Sequence, residues 1–368
     1  MKPFRCDSVP AAMPSRTHHG VFSRLAELCH LRLILLLLFA TTPVARAELN
    51  AVAVSPDGKI VVAGGDAKTI YLWPLAEDGL IRALPAGETV FSLSWAPDRR
   101  TIAAGTRHGC QIWRRAEADY QREAILQPER TVLATAIAPD NTALAFGVEG
   151  SGTFYFYDLA SKEQVGELFE RSNLTSGMAY SPSGLELASA GNSFSEWNVR
   201  AGSLPKAPPV RPSVEDAVAK SGPNRLWTAG VPGFVEYAAA VAYDADGKLL
   251  AGVNGTGGHG PRSGGKTLRV WEPKTGRTLR TGFATGMGCV VFLASGDLVT
   301  GSDDGKLRVW SVGNGRVTRE WVGHKGEVRG LAAIPNSPNF VSAGQDDHIC
   351  VWNPENGTRV RSIACGPK

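Results

Sequence analysis

Residues 260–267 match the phosphate-binding pattern G-x-x-x-x-G-K-[ST], with Gly260, Gly265, Lys266 and Thr267 at the defined positions. This pattern cradles a phosphate only when it lies between a strand and a helix, because the backbone amides and the helix N-terminus must converge on the anion. Here the residues that follow, 267–271, read Thr-Leu-Arg-Val-Trp, which is typical of a strand. We therefore predict a glycine-rich loop between two strands and no nucleotide site.

The same loop is unusual for its length. Residues 253–266 take the place of four to six residues in comparable parts of the chain. Binding residues concentrate on loops that a rigid scaffold holds in place. One hypothesis is that His259, Arg262 and Lys266 contact a ligand or partner, and the alternative is a loop tip that contacts nothing.

Other candidate chemistry is weak. Asp244-Ala-Asp246-Gly resembles the start of a calcium loop, but Lys248 occupies the next ligand position. The chain after residue 47 lacks the H-E-x-x-H, G-x-S-x-G and C-x-x-C-H patterns of zinc hydrolases, serine hydrolases and haem proteins. The sequence thus assigns no catalytic residue, no cofactor and no metal site. The histidines in that part of the chain are His108, His259, His324 and His348.

A turn element recurs along the chain and predicts the elements that would position any site. Its first copy is Ser55-Pro-Asp-Gly58, and short alternating apolar segments flank it on both sides. Proline sets φ and the Asp-Gly pair completes the turn, so each copy predicts a β-hairpin. Successive copies lie 41 to 49 residues apart, except for one interval of 63. The copies begin at residues 55, 96, 138, 181, 244, 293 and 334.

Each hairpin leads into a third strand that ends in an aromatic residue, and a weaker fourth strand follows some of them. These units predict four-stranded antiparallel sheets. A lone sheet of this size cannot bury its apolar face, so the sheets must stack, and radial stacking hides most of their edges. The closing aromatic residues are Trp73, Trp113, Tyr157, Trp197, Trp271, Trp310 and Trp352.

The units resemble WD40 repeats, whose period is about 40–45 residues, with the clearest match in the last unit. The resemblance covers residues 48–364 and implies an all-β, seven-bladed β-propeller. It also implies that His324, Ser342, Asp346 and Trp352 form a hydrogen-bonded structural tetrad. The earlier units are degenerate, since none carries a Gly-His pair at the position that residues 323–324 occupy in the last unit.

One interval is irregular. Residues 200–237 include a proline-rich stretch at 204–212 and then Leu226-Trp-Thr-Ala-Gly230. We prefer seven blades, because only seven sets of turn and closing aromatic exist, but the second piece leaves open an eighth, degenerate blade. Because the first clear strand follows residue 47 and the last follows Trp352, every blade is predicted to be contiguous, without the strand exchange usual in the family.

Residues 1–47 predict a secretory signal peptide and residues 48–368 the propeller. Arginines and Lys2 precede an apolar run at 33–40, and Ala45-Arg-Ala47 fits a signal-peptidase site. The run is too short to be a stable membrane span. We therefore expect export, to a periplasmic or extracellular location, with cleavage near Ala47.

Removal of this segment changes the charge balance. Residues 1–47 hold six of the 39 basic and two of the 35 acidic residues, so residues 48–368 carry 33 of each. This neutral balance does not indicate the basic surface that nucleic-acid binding requires, so we expect no nucleic-acid partner. Export would permit disulfides, and one bridge among the remaining cysteines is left open. They are Cys110, Cys289, Cys350 and Cys365.

Two classes of function remain. The resemblance implies a monomeric, non-catalytic scaffold that binds unidentified protein partners outside the cytoplasm. The alternative is a propeller enzyme, similar to lactonases or quinoprotein dehydrogenases, with its site at the channel mouth. A cluster of histidine, arginine and carboxylate side chains at that mouth would favour the enzyme.

Overall fold

The computed structural model describes residues 48–117, 119–170, 174–200, 202–205, 222–230, 236–256 and 267–365. Within these ranges the chain forms seven four-stranded antiparallel sheets, in each of which the strands are neighbours in sequence order. The first strands of successive sheets contact each other in a closed cycle, and the first strand of the last sheet contacts that of the first. The fold is therefore a seven-bladed β-propeller, as predicted, with the first strand of every blade innermost.

The blades are numbered in chain order. The first blade consists of β1 Leu49–Val54, β2 Ile60–Gly65, β3 Thr69–Pro74 and β4 Arg82–Pro85, and the second of β5 Val90–Trp95, β6 Thr101–Thr106, β7 Gly109–Ala116 and β8 Asp119–Leu126. The third consists of β9 Val132–Ile137, β10 Ala143–Val148, β11 Thr153–Asp158 and β12 Gln164–Phe169. The fourth consists of β13 Thr175–Tyr180, β14 Glu186–Gly191, β15 Ser193–Asn198 and β16 Arg225–Gly230.

The fifth blade consists of β17 Glu236–Tyr243, β18 Leu250–Thr256, β19 Thr267–Glu272 and β20 Arg277–Phe283. The sixth consists of β21 Met287–Phe292, β22 Leu298–Ser302, β23 Lys306–Ser311 and β24 Arg316–Val322. The seventh consists of β25 Val328–Ala333, β26 Phe340–Gly344, β27 His348–Asn353 and β28 Thr358–Ala364. A 3₁₀ turn at Gly222–Asn224 is the one helical element of the described ranges. The described ranges contain no helix that is long and apolar enough to span a membrane.

The recurring turn joins the two inner strands of each blade. In the first copy, the backbone N–H of Gly58 donates to the carbonyl of Ser55 (2.8 Å), and Gly58 adopts φ +70°. The Ser55 hydroxyl accepts from the N–H of Ile60 (2.9 Å) and donates to Asp57 (2.7 Å). The serine, aspartate and glycine are therefore selected by the hydrogen bonds and the left-handed backbone that this turn requires.

The core lies between the blades. The described part of the chain has seven clusters of buried apolar residues, and each draws its members from two neighbouring blades. One of them joins Leu49 and Val61 of the first blade to Val341 and Ile349 of the seventh. Both faces of the middle strands are thus buried, which is why β6 and β14 are buried along their whole length.

The irregular interval belongs to the fourth blade. Strand β16, which contains Trp227, pairs with β15 as the outermost strand of that blade, so the alternative of an eighth blade is wrong. The proline-rich stretch at 204–212 falls in sequence between the third and fourth strands of the blade, and residues 206–221 of this interval lie outside the described ranges. Every blade is contiguous in sequence, as predicted.

The four cysteines within the described ranges are buried, and none of them forms a disulfide with another, so the bridge left open by the sequence does not form among them. Burial raises the pKa of the Cys110 thiol. These residues act as small apolar members of the core.

Candidate functional site: the channel mouth and the networks that support it

The phosphate-binding pattern does not meet its structural requirement. Thr267, its last residue, is the first residue of strand β19, and no helix begins there. Residues 257–266 lie outside the described ranges, and with them His259, Arg262 and Lys266 of the partner-loop hypothesis. Asp244 lies in a hairpin turn, where its carboxylate accepts from the backbone N–H groups of Lys248 (2.8 Å) and Leu249 (2.9 Å).

The seventh blade brings the four predicted tetrad residues together. The two ring nitrogens of His324 lie 2.8 Å from Asp346 Oδ1 and 2.6 Å from Ser342 Oγ. The indole N–H of Trp352 donates to the same hydroxyl (2.8 Å). His324, Ser342 and Trp352 are buried, so a ligand cannot reach the network. Its role is to hold the blade together.

Asp346 carries the charge of this network. Burial opposes its ionisation, but the hydrogen bonds from His324 and from the backbone N–H of Lys325 outweigh burial and lower the pKa of Asp346 to about 2. The carboxylate therefore stays ionised throughout the neutral range and fixes the loop between β26 and β27 to the segment that enters the blade.

The fourth blade contains a related network that the sequence analysis missed. Glu170 occupies the place of His324, in the segment that enters the innermost strand. Its carboxylate accepts from Ser193 (2.8 Å) and lies 3.5 Å from the hydroxyl of Ser189, which in turn accepts from the indole N–H of Trp197 (3.0 Å). Burial raises the pKa of Glu170, although the serine hydroxyls lower it in part. A search for Gly-His pairs could not find a tetrad with an acid in the histidine position.

A ring of bulged residues lies at one mouth of the channel. In all seven innermost strands the register with the second strand shifts around one residue near the strand start. Because these strands run in the same direction, the seven bulges lie at the same rim. The bulged residues are Asn50, Phe91, Leu133, Ser176, Ala239, Gly288 and Arg329.

The ring has a repeated backbone but unlike side chains. Asn50 and Arg329 make the side of the first and seventh blades polar, whereas Phe91 and Leu133 make the next two blades apolar. Leu133 and Ala239 are buried, and the other five residues are half-buried. The mouth is therefore polar on one side and apolar on another. A rigid surface with this asymmetry can bind a partner in a single orientation.

The polar side of the mouth is a paired cluster. Arg329 donates to the side-chain oxygen of Asn50 (2.7 Å) and to Glu327 (3.1 Å), and its guanidinium lies 3.6 Å from Glu48. Asn50 in turn donates to Asp66 (3.2 Å). Arginine and carboxylates are therefore present at the mouth, but the polar atoms are engaged with one another, and His324 nearby is buried in its tetrad. The described ranges hold no cluster of three or more metal-ligating side chains.

Comparison with known proteins gives the family. The family model described as "WD domain, G-beta repeat" matches residues 41–74, 276–311 and 315–353. Two of these matches begin at the outermost strand of one blade and end with the third strand of the next, so the sequence repeat is offset by one strand from the structural blade.

Curated relatives match over shorter stretches. The small ribosomal subunit protein RACK1 of Candida albicans is 32% identical over 109 residues, which cover 30% of this chain and 34% of the relative. RACK1z of Arabidopsis thaliana is 34% identical over 98 residues, covering 26% and 28%. Human echinoderm microtubule-associated protein-like 2 is 36% identical over 90 residues, covering 21% and 14%.

The matched part thus spans about a third or less of the length of these relatives. The repeats matched, the similarity to these proteins and the closed ring of seven four-stranded blades agree with one another. The chain belongs to the WD40-repeat β-propeller family.

Proposed function

We propose that this chain is a non-catalytic scaffold that binds a protein partner at the channel mouth, and that it acts outside the cytoplasm after export. The observation that carries the proposal is the ring of seven bulged residues, in which one backbone geometry repeats while the residue type differs at every position. A rigid frame with half-buried aromatic and charged side chains has the composition of a binding hot spot.

The relatives support the binding part of this proposal. By their names, RACK1 is a small ribosomal subunit protein and the human relative is microtubule-associated. Both names describe proteins that work in an assembly. The engagement of Arg329 with Glu327, Glu48 and Asn50 favours a recognition surface over a reaction centre, because a catalytic group must have a polar atom available to the substrate.

The location rests on the sequence alone. Basic residues, an apolar run and Ala45-Arg-Ala47 follow one another in residues 1–47 as they do in secretory signals. N-terminal sequencing of the chain recovered from the exported fraction of its source cells tests this part. A product that still carries residues 1–40 would contradict it.

Phe91 provides the sharpest test of the binding site. The folded chain is used to capture partners from the exported fraction, and the affinity of the captured partner is then measured for two variants. Phe91→Ala removes an aromatic side chain from the mouth, and we expect it to weaken binding roughly 10-fold or more, since aromatic truncations at hot spots cost about 2 kcal/mol.

The matched control is Phe283→Ala. Phe283 ends the outermost strand β20 and is 73% exposed, so it is an aromatic residue on the same molecule away from the ring. We expect this variant to bind as the parent does. Loss of binding with Phe283→Ala and retention with Phe91→Ala would move the site to the outer surface and contradict the proposal.

A further inference from the structure

The backbone nitrogen of Glu48 lies at the seam where the ring closes. It donates to Asp347 Oδ1 at 2.7 Å, and Asp347 belongs to the loop between β26 and β27 of the seventh blade. This hydrogen bond joins residues 299 positions apart in sequence. It therefore connects the residue directly before the first strand to the last blade.

Contacts on other sides hold both residues in place. The carbonyl of Glu48 accepts from the backbone N–H of Asp66 (3.2 Å), and its carboxylate lies 3.6 Å from Arg329. The carbonyl of Asp347 accepts from the N–H of Cys365 (2.7 Å). The nitrogen and the carboxylate thus meet in a fixed geometry rather than at a free loop tip.

The backbone of Glu48 is strained. Its φ is +30°, a value that a residue with a Cβ rarely adopts because of steric strain. The angle φ is defined by the peptide bond to the preceding residue. A Glu48 that begins a chain has no such bond, so the strain disappears when Glu48 becomes the first residue.

The sequence places a processing site at this bond. Ala45-Arg-Ala47 has small residues at the two positions that signal peptidases recognise, and Glu48 follows. Hydrolysis adds water across the Ala47–Glu48 peptide bond. Ala47 leaves with a carboxylate, and the Glu48 nitrogen becomes an α-ammonium group.

We propose that removal of residues 1–47 creates an α-ammonium at Glu48 that forms an ion pair with Asp347 and so strengthens the seam between the first and seventh blades. The inference rests on the proposed export, because export supplies the cleavage. It adds a role for processing in the final closure of the propeller.

The charges around the seam favour an ammonium. Asp66, Asp346 and Glu327 lie on the elements that surround the Glu48–Asp347 pair, together with the Glu48 carboxylate. The cations on these elements are Arg329, Lys68 and Lys325, which the five carboxylates outnumber, and His348 follows Asp347 in the chain. A charge-assisted hydrogen bond from an ammonium to a carboxylate is about twice as strong as one from a neutral amide.

This ion pair has a distinctive pH dependence. An α-amino group titrates at about 7.7–8.0 when it is unpaired, as in the unfolded chain. Pairing with Asp347 raises the folded-state pKa of the amino group above that value. Its stabilisation is therefore complete below about pH 7.7 and is lost as the pH rises through the raised folded-state value.

The experiment compares two processed proteins purified from cells. One has the natural sequence, and the other has one alanine inserted between Ala47 and Glu48, so that processing leaves a peptide bond before Glu48. N-terminal sequencing verifies both starts. At pH 6.5 we expect the unfolding equilibrium constant of the natural form to be about tenfold smaller, as a hydrogen bond between charged groups would produce. The difference should shrink steadily above pH 8.

Asp347→Asn is made in both backgrounds. It removes the partner of the ammonium, and we expect the stability difference between the two chains at pH 6.5 then to fall to the pH-independent part that the strained backbone before Glu48 contributes. The pH series keeps the test valid if this variant folds poorly, because both unsubstituted chains retain Asp347.

Several results would overturn the inference. A natural product that is uncut or begins at another residue removes the ammonium from the seam. A product that begins at Glu48 but shows no gain in stability over the alanine-extended chain, or a gain that is as large at pH 10 as at pH 6.5, overturns the ion pair while leaving export intact. Partner capture, measured on both chains, reports separately on the proposed scaffold.

Discussion

The hydroxyl of Ser342 joins three side chains of the seventh blade, since it contacts His324 and accepts from Trp352 while His324 also contacts Asp346. In the fourth blade, Glu170 contacts the corresponding serine. The network of the seventh blade therefore contains a half-buried carboxylate, Asp346, whose pKa is lowered, and that of the fourth blade contains a buried carboxylate, Glu170, whose pKa is raised. The two should respond to pH in opposite directions.

For Asp346→Asn we expect a loss of stability of about 2 kcal/mol at pH 7. The pKa of Asp346 is lowered from 3.8 to about 2, so its contribution is complete above about pH 4 and is lost as the pH falls to about 2. Urea unfolding of the parent and the variant between pH 2 and pH 7 measures this. A difference that does not narrow below pH 4 would assign the effect to packing instead of charge.

For Glu170→Gln we expect the opposite trend. A carboxyl whose folded-state pKa is raised stabilises the fold below its ordinary pKa, and that stabilisation is lost as the pH rises. Glutamine has no charge to bury. The stability of the variant relative to the parent should therefore increase from pH 4.5 to pH 8, measured by urea unfolding. A relative stability that decreases over this range would show that the ionised form is the favoured one.

The outermost strand β16 is attached to the next blade through Trp227. Its indole N–H donates to Glu196 (2.7 Å), a fully buried carboxylate that also accepts from the hydroxyl of Tyr243 in the fifth blade (2.6 Å). The Trp227 ring also packs 5.6 Å from that of Trp271. This strand thus links two blades, although it follows a long insertion.

Trp227→Phe keeps the ring contacts and removes the N–H donor to Glu196. We expect it to destabilise the protein by about 1–3 kcal/mol, because a buried carboxylate oxygen loses a partner. Trp321→Phe is the control. Trp321 lies on β24, packs 5.8 Å from Trp352 of the next blade and has an indole N–H without a hydrogen-bond partner, so its loss should cost less. Equal losses in thermal or urea unfolding would contradict the role of the Glu196 bond.

At the scale of the whole molecule, the ring closes by packing and side-chain bonds rather than by strand exchange. Near the outer edge of the seam, Arg361 of β28 donates to the carbonyl of Pro74 (3.1 Å) and to Asp78 (2.8 Å) in the first blade. Arg280 of β20 makes a similar bond to the carbonyl of Gly313 in the sixth blade (2.9 Å). The same kind of arginine–carbonyl hydrogen bond therefore joins the seventh blade to the first and the fifth blade to the sixth.

Arg361→Ala should loosen the closure. We expect a loss of roughly 1–2 kcal/mol in unfolding free energy, as for hydrogen bonds to a charged group near the surface, and faster hydrogen exchange in β1 and β28. Arg319→Ala is the matched control, because Arg319 is exposed and pairs with Val309 as Arg361 pairs with Val351. Faster exchange spread evenly over all blades would argue against a local effect at the seam.

The sequence by itself predicted the order of the blades and favoured seven of them, although the segment around Trp227 left an eighth open until the pairing of β16 with β15 excluded it. Turns such as Ser55-Pro-Asp-Gly58 and closing aromatic residues such as Trp310 are local signals, because φ preference and strand alternation act over a few residues. The absence of strand exchange also followed from where the first and last strands begin. The tetrad residues were predicted from the resemblance of the last unit to WD40 repeats, in which a histidine, a serine, an aspartate and a tryptophan stand at matching positions.

Tertiary structure alone decided the rest. Glu170 contacts Ser193, and Glu196 contacts Tyr243, across 23 and 47 positions, and no local pattern marks such pairs. Strand β16 was ambiguous because an outermost strand is half exposed and lacks a clear alternation. The ring of bulges and the bond between Glu48 and Asp347 exist only once the chain has closed on itself, since each depends on residues that distant blades bring to one rim.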